Sequence, residues 1–387
     1  MERLGKNQSF SREYNNLLVL RMIQKDSLAA TEMSERLSLS NATLSSILRS
    51  FLKLGVIKIG NTASLKGIGR KRVYYELNEN YGLVLCVNIS NFHVVISLSN
   101  IKQEVIKSID IEIGKYDSKS IYKIILEATK LLYGGNQSGA PLKQIIVSLP
   151  GRVNTKTGDL ALSKQFEKEL FSKSHFIQSA FAQQFPDIPV IVTNDINISA
   201  LAEQQNGYLK DIQNACYVSV DYGIGGSFII NNEVFEGNQG YAGEFGLIRF
   251  YDGEKYECLD EFISLRSLAC SLFGVENPSK DDIEKVFELY NNDKEVKDKI
   301  LKTASILGRS LRNVMEVCDI STFIIRGRVK RFDKDYLDAI NKQFEGMIYS
   351  PTIKFASLDS RSEIIGATYF GVENIILDAA KRAISEE

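Results

Sequence analysis

The chain has 387 residues, 44% of them hydrophobic and 25% charged, which is enough for two or three globular domains whose cores need no covalent staples. Five scattered cysteines, Cys86, Cys216, Cys258, Cys270 and Cys318, form no C-x-x-C pair, which argues against a disulfide framework or a paired-thiol zinc site. No apolar run approaches the ~18 residues of a membrane span, and the polar N-terminus lacks the apolar stretch of a signal peptide, so a cytoplasmic location is expected. The net charge of −1 hides an asymmetry: residues 1–80 hold 13 Lys/Arg against 7 Asp/Glu, a net of +6, which leaves −7 for the remainder. A basic head on an acidic body suits a protein whose one end meets a polyanion.

In chain order, Asn15–Lys25 carries apolar residues at Leu17, Leu18, Leu20, Met22 and Ile23, the pattern of a helix packed on a core. Thr31, ahead of Ser34 and Glu35, reads as the start of a second helix ending near Leu37. After the turn Ser38-Leu39-Ser40, a third helix opens at Asn41. Leu44, Ile47, Leu48 and Phe51 face inward, while Asn41, Thr43, Ser45, Ser46 and Arg49 stay outside. Small polar residues with one arginine suit a helix that enters a major groove. Gly55 ends it. Lys58–Gly60, a polar tip with Lys66 and Gly69-Arg70-Lys71-Arg72, and Val73–Leu77 read as a two-stranded wing with a basic tail able to reach a minor groove. The expected DNA contacts are Ser40, Asn41, Thr43, Ser45, Ser46, Arg49, Lys66, Arg70, Lys71 and Arg72, on double-stranded DNA.

From Tyr81 the pattern becomes α/β. Strands are expected at Leu83–Ile89, Phe92–Leu98 and Glu104–Ile113, then a helix at Ser118–Leu132. A strand at Ile145–Ser148, a helix around Phe166–Phe185, a strand at Val190–Thr193 and a helix from Ile196 follow. The scheme repeats with strands Cys216–Val220, Phe228–Ile230 and Glu233–Phe235, the last two joined at Asn231-Asn232, a good hairpin turn. Helices within Leu259–Val317 precede a strand at Phe323–Ile325, a helix near Lys334–Ile348, a strand at Thr352–Ala356 and a long helix at Ile364–Ile384. Two copies of one layout imply two α/β lobes with a cleft between them.

Several motifs lie in this body: Ser148-Leu149-Pro150-Gly151-Arg152-Val153-Asn154, Thr193-Asn194-Asp195-Ile196-Asn197 with Ala200 and Glu203, Gly223-Ile224-Gly225-Gly226, and Glu236-Gly237-Asn238-Gln239-Gly240-Tyr241-Ala242-Gly243-Glu244-Phe245-Gly246. In this order they resemble the ROK family (repressors, open reading frames and sugar kinases). With its winged helix-turn-helix, the chain is similar to the family's xylose- and N-acetylglucosamine-repressor branch. The resemblance implies a two-lobed, actin- and hexokinase-like fold. Residues 1–80 would form the DNA-binding domain. Residues 81–195 with a C-terminal helix at about 365–387 would form one lobe, and 196–364 the other. It also implies a carbohydrate or sugar phosphate effector held near Gly151, Asn194, Asp195, Glu244 and Asp260. Asp195 takes the position of the kinases' general base, and Asn194 offers a donor and an acceptor to a vicinal diol. A homodimer or tetramer on a palindromic operator would follow.

The family's kinase parts are altered. Where its kinases carry an Asp-x-Gly-Gly-Thr phosphate motif, this chain has Asn88-Ile89-Ser90-Asn91-Phe92, with no carboxylate for magnesium. Asp221 stands where a triphosphate would meet like charge. Arg326 and Arg328 stand where small glycines adjoin the adenosine and are expected to obstruct that pocket. Of the family's zinc ligands, Leu247 replaces the histidine, and Tyr251 and Gly253 replace two cysteines, so neither zinc nor another cofactor is expected. His93 and His175 are expected to be structural or exposed. The rival readings are an active sugar kinase with a regulatory head and a DNA-binding dimer that senses no ligand.

Overall fold

The structure, a computed structural model, describes residues 8–60, 72–113, 118–162, 176–251, 254–358 and 361–386. The head comprises helices Gln8–Lys25, Ala30–Leu37 and Asn41–Leu54 and a three-stranded sheet. The middle helix does not start at Thr31. Its N-cap is Ala29, whose own N–H donates to Glu32 Oε2 at 2.9 Å, while Ala29 brings no side-chain oxygen to the first-turn N–H groups. The third helix begins as expected, with Ser40 Oγ accepting from Thr43 N–H at 3.1 Å, and ends at Gly55 with φ +75°. Leu44, Ile47, Leu48 and Phe51 are buried, as their spacing predicts.

Ile57–Ile59 pairs antiparallel with Tyr74–Leu77 to form the wing, and Leu28–Ala29 adds a third strand. Three of the expected DNA contacts, Lys66, Arg70 and Lys71, lie outside the described residues; Arg72 is exposed.

The body holds two five-stranded sheets of one topology. In the first, Leu83–Ile89, His93–Asn100 and Val105–Glu112 form an antiparallel meander, and Leu142–Leu149 and Val190–Asn194 extend the other edge in parallel. In the second, Ala215–Val220, Ile224–Ile230 and Glu233–Phe235 form the meander, and Thr322–Arg326 and Thr352–Phe355 the parallel extension. Leu83–Ile89 and Ala215–Val220 are buried along their whole length, because each lies inside a sheet covered on both faces. Asn231 and Asn232 both take positive φ (55° and 65°), as a two-residue hairpin turn requires. The helix expected to reach Ile348 stops at Asn341, with a 3-10 turn at Lys342–Phe344 and a left-handed Gly346 behind it.

Helix Ser362–Arg382 packs on the first sheet, and the head packs on that helix. Val19, Leu20, Ile23 and Phe51 join Val372, Ile376, Ala379 and Ala380 in one continuous apolar cluster. Asn16 Nδ2 donates to Ala380 O at 3.0 Å, and Arg21 pairs with Glu373 at 3.0 Å. On the wing side, Lys102 of the first lobe reaches Glu76 at 3.0 Å and Glu79 at 3.3 Å, and Lys58 reaches Glu79 at 2.7 Å. Head and first lobe therefore share a core and an ion network instead of meeting through a free linker.

Candidate functional site

On the third helix Asn41, Ala42, Thr43, Ser45 and Arg49 are exposed, and Ser46 is half-buried. At ~100° per residue, Arg49 stands opposite the buried stripe, at the middle of the outward face. It makes no hydrogen bond or ion pair among the described residues. Ser40 and Thr43 differ: their hydroxyls bond each other at 2.9 Å, and Ser40 also caps the helix. The structure thus gives Ser40 a capping role where a DNA contact was expected. Lys53, on the same outward side, is held by Glu386 at 2.6 Å, a contact between residues too far apart in the chain for local reading to find.

The cleft between the lobes holds a small cavity open to solvent. Gly151 and Asn194 reach it from the ends of parallel strands in the first lobe. Gly225, Gly226, Gly243 and Glu244 line it from the second lobe. Gly243 has φ +87°, and a Cβ there would sit 2.2 Å from Gly226 O, so two backbones touch and the wall presents peptide groups instead of side chains. Such a wall hydrogen-bonds a polyhydroxyl ligand readily.

Asn194 is less free than expected. Its Oδ1 accepts from Ile196 N–H (2.8 Å) and Asn197 N–H (3.2 Å), capping helix Asp195–Asn206, while its Nδ2 donates to Gly151 O at 2.9 Å. One amide N–H remains for a ligand. Glu244 lines the cavity, with Arg152 Nε 3.4 Å from its carboxylate. Burial raises its pKa, and Arg152 opposes that rise. Arg152 was not anticipated; its place beside Gly151 was the available signal.

Asp195 and Asp260 lie beside the cavity, outside its lining. Burial pushes the Asp195 carboxyl up to about 6; Arg326 works against this and Glu363 reinforces it. Asp260 Oδ1 accepts from Ile224 N–H at 2.7 Å, which ties helix Leu259–Ile263 to the glycine strand. Glu203, in the same motif as Asn194, is fully buried and accepts from Tyr208 N–H, Ser357 N–H, Ser357 Oγ and Leu358 N–H at 2.5–3.2 Å.

At the positions that the resemblance assigns to the nucleotide, the protein bonds to itself. Asp221 is no free like charge: it accepts from Arg328 N–H and Nε at 2.8 Å and from its terminal nitrogen at 2.5 Å. Phe92 of the first lobe meets Tyr222 of the second edge-on at 5.3 Å, and the Arg328 guanidinium lies 5.6 Å from the Phe92 ring centre. Asn88 accepts from Ser148 Oγ at 2.7 Å. Arg326 does not join Arg328 there. It turns to Ser199 Oγ (2.6 Å) and forms an ion pair with Glu363.

The residues at the family's zinc position do not fit that metal. Strands Arg249–Tyr251 and Tyr256–Cys258 form a hairpin in which the Tyr251 and Tyr256 rings lie 5.3 Å apart, with Phe250 against Phe262 at 5.2 Å. Among the described residues no group of three His, Cys, Asp or Glu could hold a metal. His93 is bonded to Asp110 at 2.9 Å on the first sheet; His175 lies outside the described residues. No helix among the described residues is long and apolar enough to cross a membrane.

The family model described as "ROK family" matches residues 85–372. The chain belongs to the ROK family. Within it, the chain is 23% identical over 401 aligned positions to a xylose repressor of Caldicellulosiruptor bescii, covering 96% of this chain and 98% of that one. Its fold matches a ROK family transcriptional regulator, a homologue of the E. coli MLC protein, with TM-score 0.78 at 18% identity over 97% of this chain and 98% of that one. A ROK family glucokinase from Streptomyces griseus, solved with glucose and AMPPNP, matches with TM-score 0.61 at 21% identity, over 75% of this chain and 99% of its own. The quarter of this chain beyond the kinase match is of the size of the winged head.

Proposed function

We propose that this protein is a DNA-binding transcriptional repressor of the cytoplasm. Its body binds a sugar or sugar phosphate as effector and transfers no phosphoryl group. One observation carries the reading. A winged head with an outward Arg49, unpaired among the described residues, is joined to a sugar-kinase-like body whose positions assigned by resemblance to the nucleotide are occupied by the chain's own Asp221–Arg328 pair and Phe92–Tyr222 contact. Phosphoryl transfer relies on positioned metal and phosphate-neutralising groups, and here those positions neutralise each other. Full-length similarity to a protein named xylose repressor supports the same reading and makes D-xylose the first effector to try. The regulator would act as a homodimer or tetramer and meet a palindromic operator through two heads.

The residues divide the work. Asn41, Ser45, Ser46 and Arg49 would read base edges, and Lys66, Arg70, Lys71 and Arg72 would follow the backbone and minor groove. Gly151, Asn194 and Glu244 would hold sugar hydroxyls, Asp195 would take a further hydroxyl from beside the cavity, and Asp260 would support the cleft. The test is binding to the DNA upstream of the protein's own gene at fixed physiological salt, with and without D-xylose and a panel of hexoses and sugar phosphates. Specific binding altered by one compound is expected. Absence of specific binding, together with ATP turnover in a coupled assay, would replace the proposal with a sugar kinase.

A further inference from the structure

We infer that Arg326 and Glu363 are positioning residues that tie the cleft to the head: their ion pair sets the angle between the second lobe and the unit formed by first lobe and head, and a ligand engaging Asp195 changes that angle. The inference rests on the function proposed above.

The connection is built from contacts at both ends of one helix. Arg326 ends strand Thr322–Arg326 of the second lobe; Glu363 opens helix Ser362–Arg382, which belongs to the first. Their pair therefore crosses between the lobes. The Arg326 side chain also donates to Ser199 Oγ at 2.6 Å, and Ser199 Oγ in turn donates to Asp195 O at 2.9 Å. One guanidinium thus holds both the helix that Asp195 opens and the helix that carries the head. Ser362 Oγ donates to Glu363 at 3.1 Å, which fixes the carboxylate from the other side. The two helices are in backbone contact next to this joint, since a Cβ on Gly366 would lie 1.9 Å from Ile198 O.

The far end of the same helix is fastened to the head. Glu373 holds Arg21, Ala380 O accepts from Asn16, and just beyond the helix Glu386 holds Lys53 of the DNA-facing helix. Between the two ends, Thr368 Oγ1 meets Ser99 Oγ at 3.1 Å and Gly371 lies against Val84, which seats the helix on the first sheet. A helix of 21 residues spans about 30 Å. Head, helix and first sheet can thus move as one body, and Arg326 is the grip of the second lobe on the helix of that body. Because Asp195 adjoins the ligand cavity and opens the helix that Arg326 holds through Ser199 Oγ, a sugar hydroxyl bonded to the Asp195 carboxylate alters the hold of Arg326 on Glu363. The head needs no hinge of its own.

The experiment uses the full chain with spin labels, attached through p-acetylphenylalanine to avoid the native cysteines, at Leu131 in the first lobe and Lys334 in the second, both well exposed. The wild-type distance distribution is compared with that of E363Q, of E363D, which keeps the charge, and of R326K, which keeps the charge and loses the fork. A shifted or broadened distribution in E363Q and R326K, restored towards wild type in E363D, is expected. A wild-type distribution in a folded E363Q and in R326K overturns the inference. In parallel, DNA affinity is titrated with D-xylose and D-glucose. Where sugar shifts the wild-type affinity by about 5–150-fold, the ordinary range of allosteric coupling, E363Q should nearly abolish the shift. An undiminished shift also overturns the inference. Wild-type protein that binds no DNA, or binds it and responds to no sugar, counts against the proposed function, and the distance measurement then decides the joint by itself.

Discussion

The head and the cleft use their polar side chains in opposite ways. On the outward face of helix Asn41–Leu54, Arg49 stands unpaired among the described residues and Asn41 and Ser45 are exposed. In and around the cleft several polar side chains are engaged by the protein itself: Asn194 in a cap, Asp260 on Ile224, Asp221 on Arg328, Glu203 on four donors. A surface that must meet a partner keeps its donors free. A group packed inside the fold is held by partners within the chain, since a buried unpaired polar group costs free energy.

This contrast predicts that substitutions near the cleft cost stability, whereas substitutions on the helix face cost affinity. The largest effect is expected at Glu203. E203A strips the acceptor from Tyr208 N–H, Ser357 N–H and Leu358 N–H at once and should lower unfolding free energy by about 3–5 kcal/mol. Urea unfolding measures it. A loss below about 1 kcal/mol would mean that this carboxylate is dispensable and the contrast is overdrawn.

On the other side, R49A should weaken specific DNA binding by about 1–3 kcal/mol, the cost of a lost base contact, and leave stability within about 0.5 kcal/mol of wild type. Binding isotherms on the preferred operator and on scrambled DNA separate a base contact from a phosphate contact. An equal loss on both would assign Arg49 to the backbone.

The parts of this contrast that were legible in the sequence are those set by local pattern. Leu83–Ile89 and Glu233–Phe235 are strands with the predicted bounds, because the apolar run Leu83–Val87 and an Asn-Asn turn leave few alternatives. The buried stripe Leu44, Ile47, Leu48, Phe51 follows from helical spacing alone. Partners distant in sequence were not legible. Asp221 and Arg328 are 107 residues apart and meet because Ser219 lies beside Arg326 in the second sheet. Arg326 and Arg328 looked equivalent, yet left-handed Gly327 (φ +112°) lies between them and they serve different partners. The start of the second helix went to Ala29 and Glu32 because Leu28–Ala29 is drawn into a strand by Tyr74 and Tyr75, which no local rule foresees.

A smaller effect tests the boundary between the two behaviours. Ser40 lies on the DNA side but acts as a cleft residue does, with its oxygen engaged inside the fold. S40A should cost about 1 kcal/mol of stability, the usual value of an N-cap, whereas S40D should retain the cap. Thermal unfolding reads the first, and DNA binding at constant folded fraction reads any further role. Loss of affinity in S40A with full stability would return Ser40 to the groove.

The smallest expected effect is none. In the hairpin Arg249–Cys258 the place of two zinc-binding thiols is taken by residues that include Tyr251, whose ring meets Tyr256, while Phe250 meets Phe262. Aromatic pairs of this kind contribute about 0.5–1.5 kcal/mol each beyond their buried area, and they draw on no metal. Dialysis against a chelator should therefore leave the melting temperature unchanged, whereas Y256A should lower it by a few degrees. A chelator-induced drop would show that a metal holds the fold through ligands outside this hairpin. The argument that the body satisfies its inherited site with its own side chains would then fail at that point.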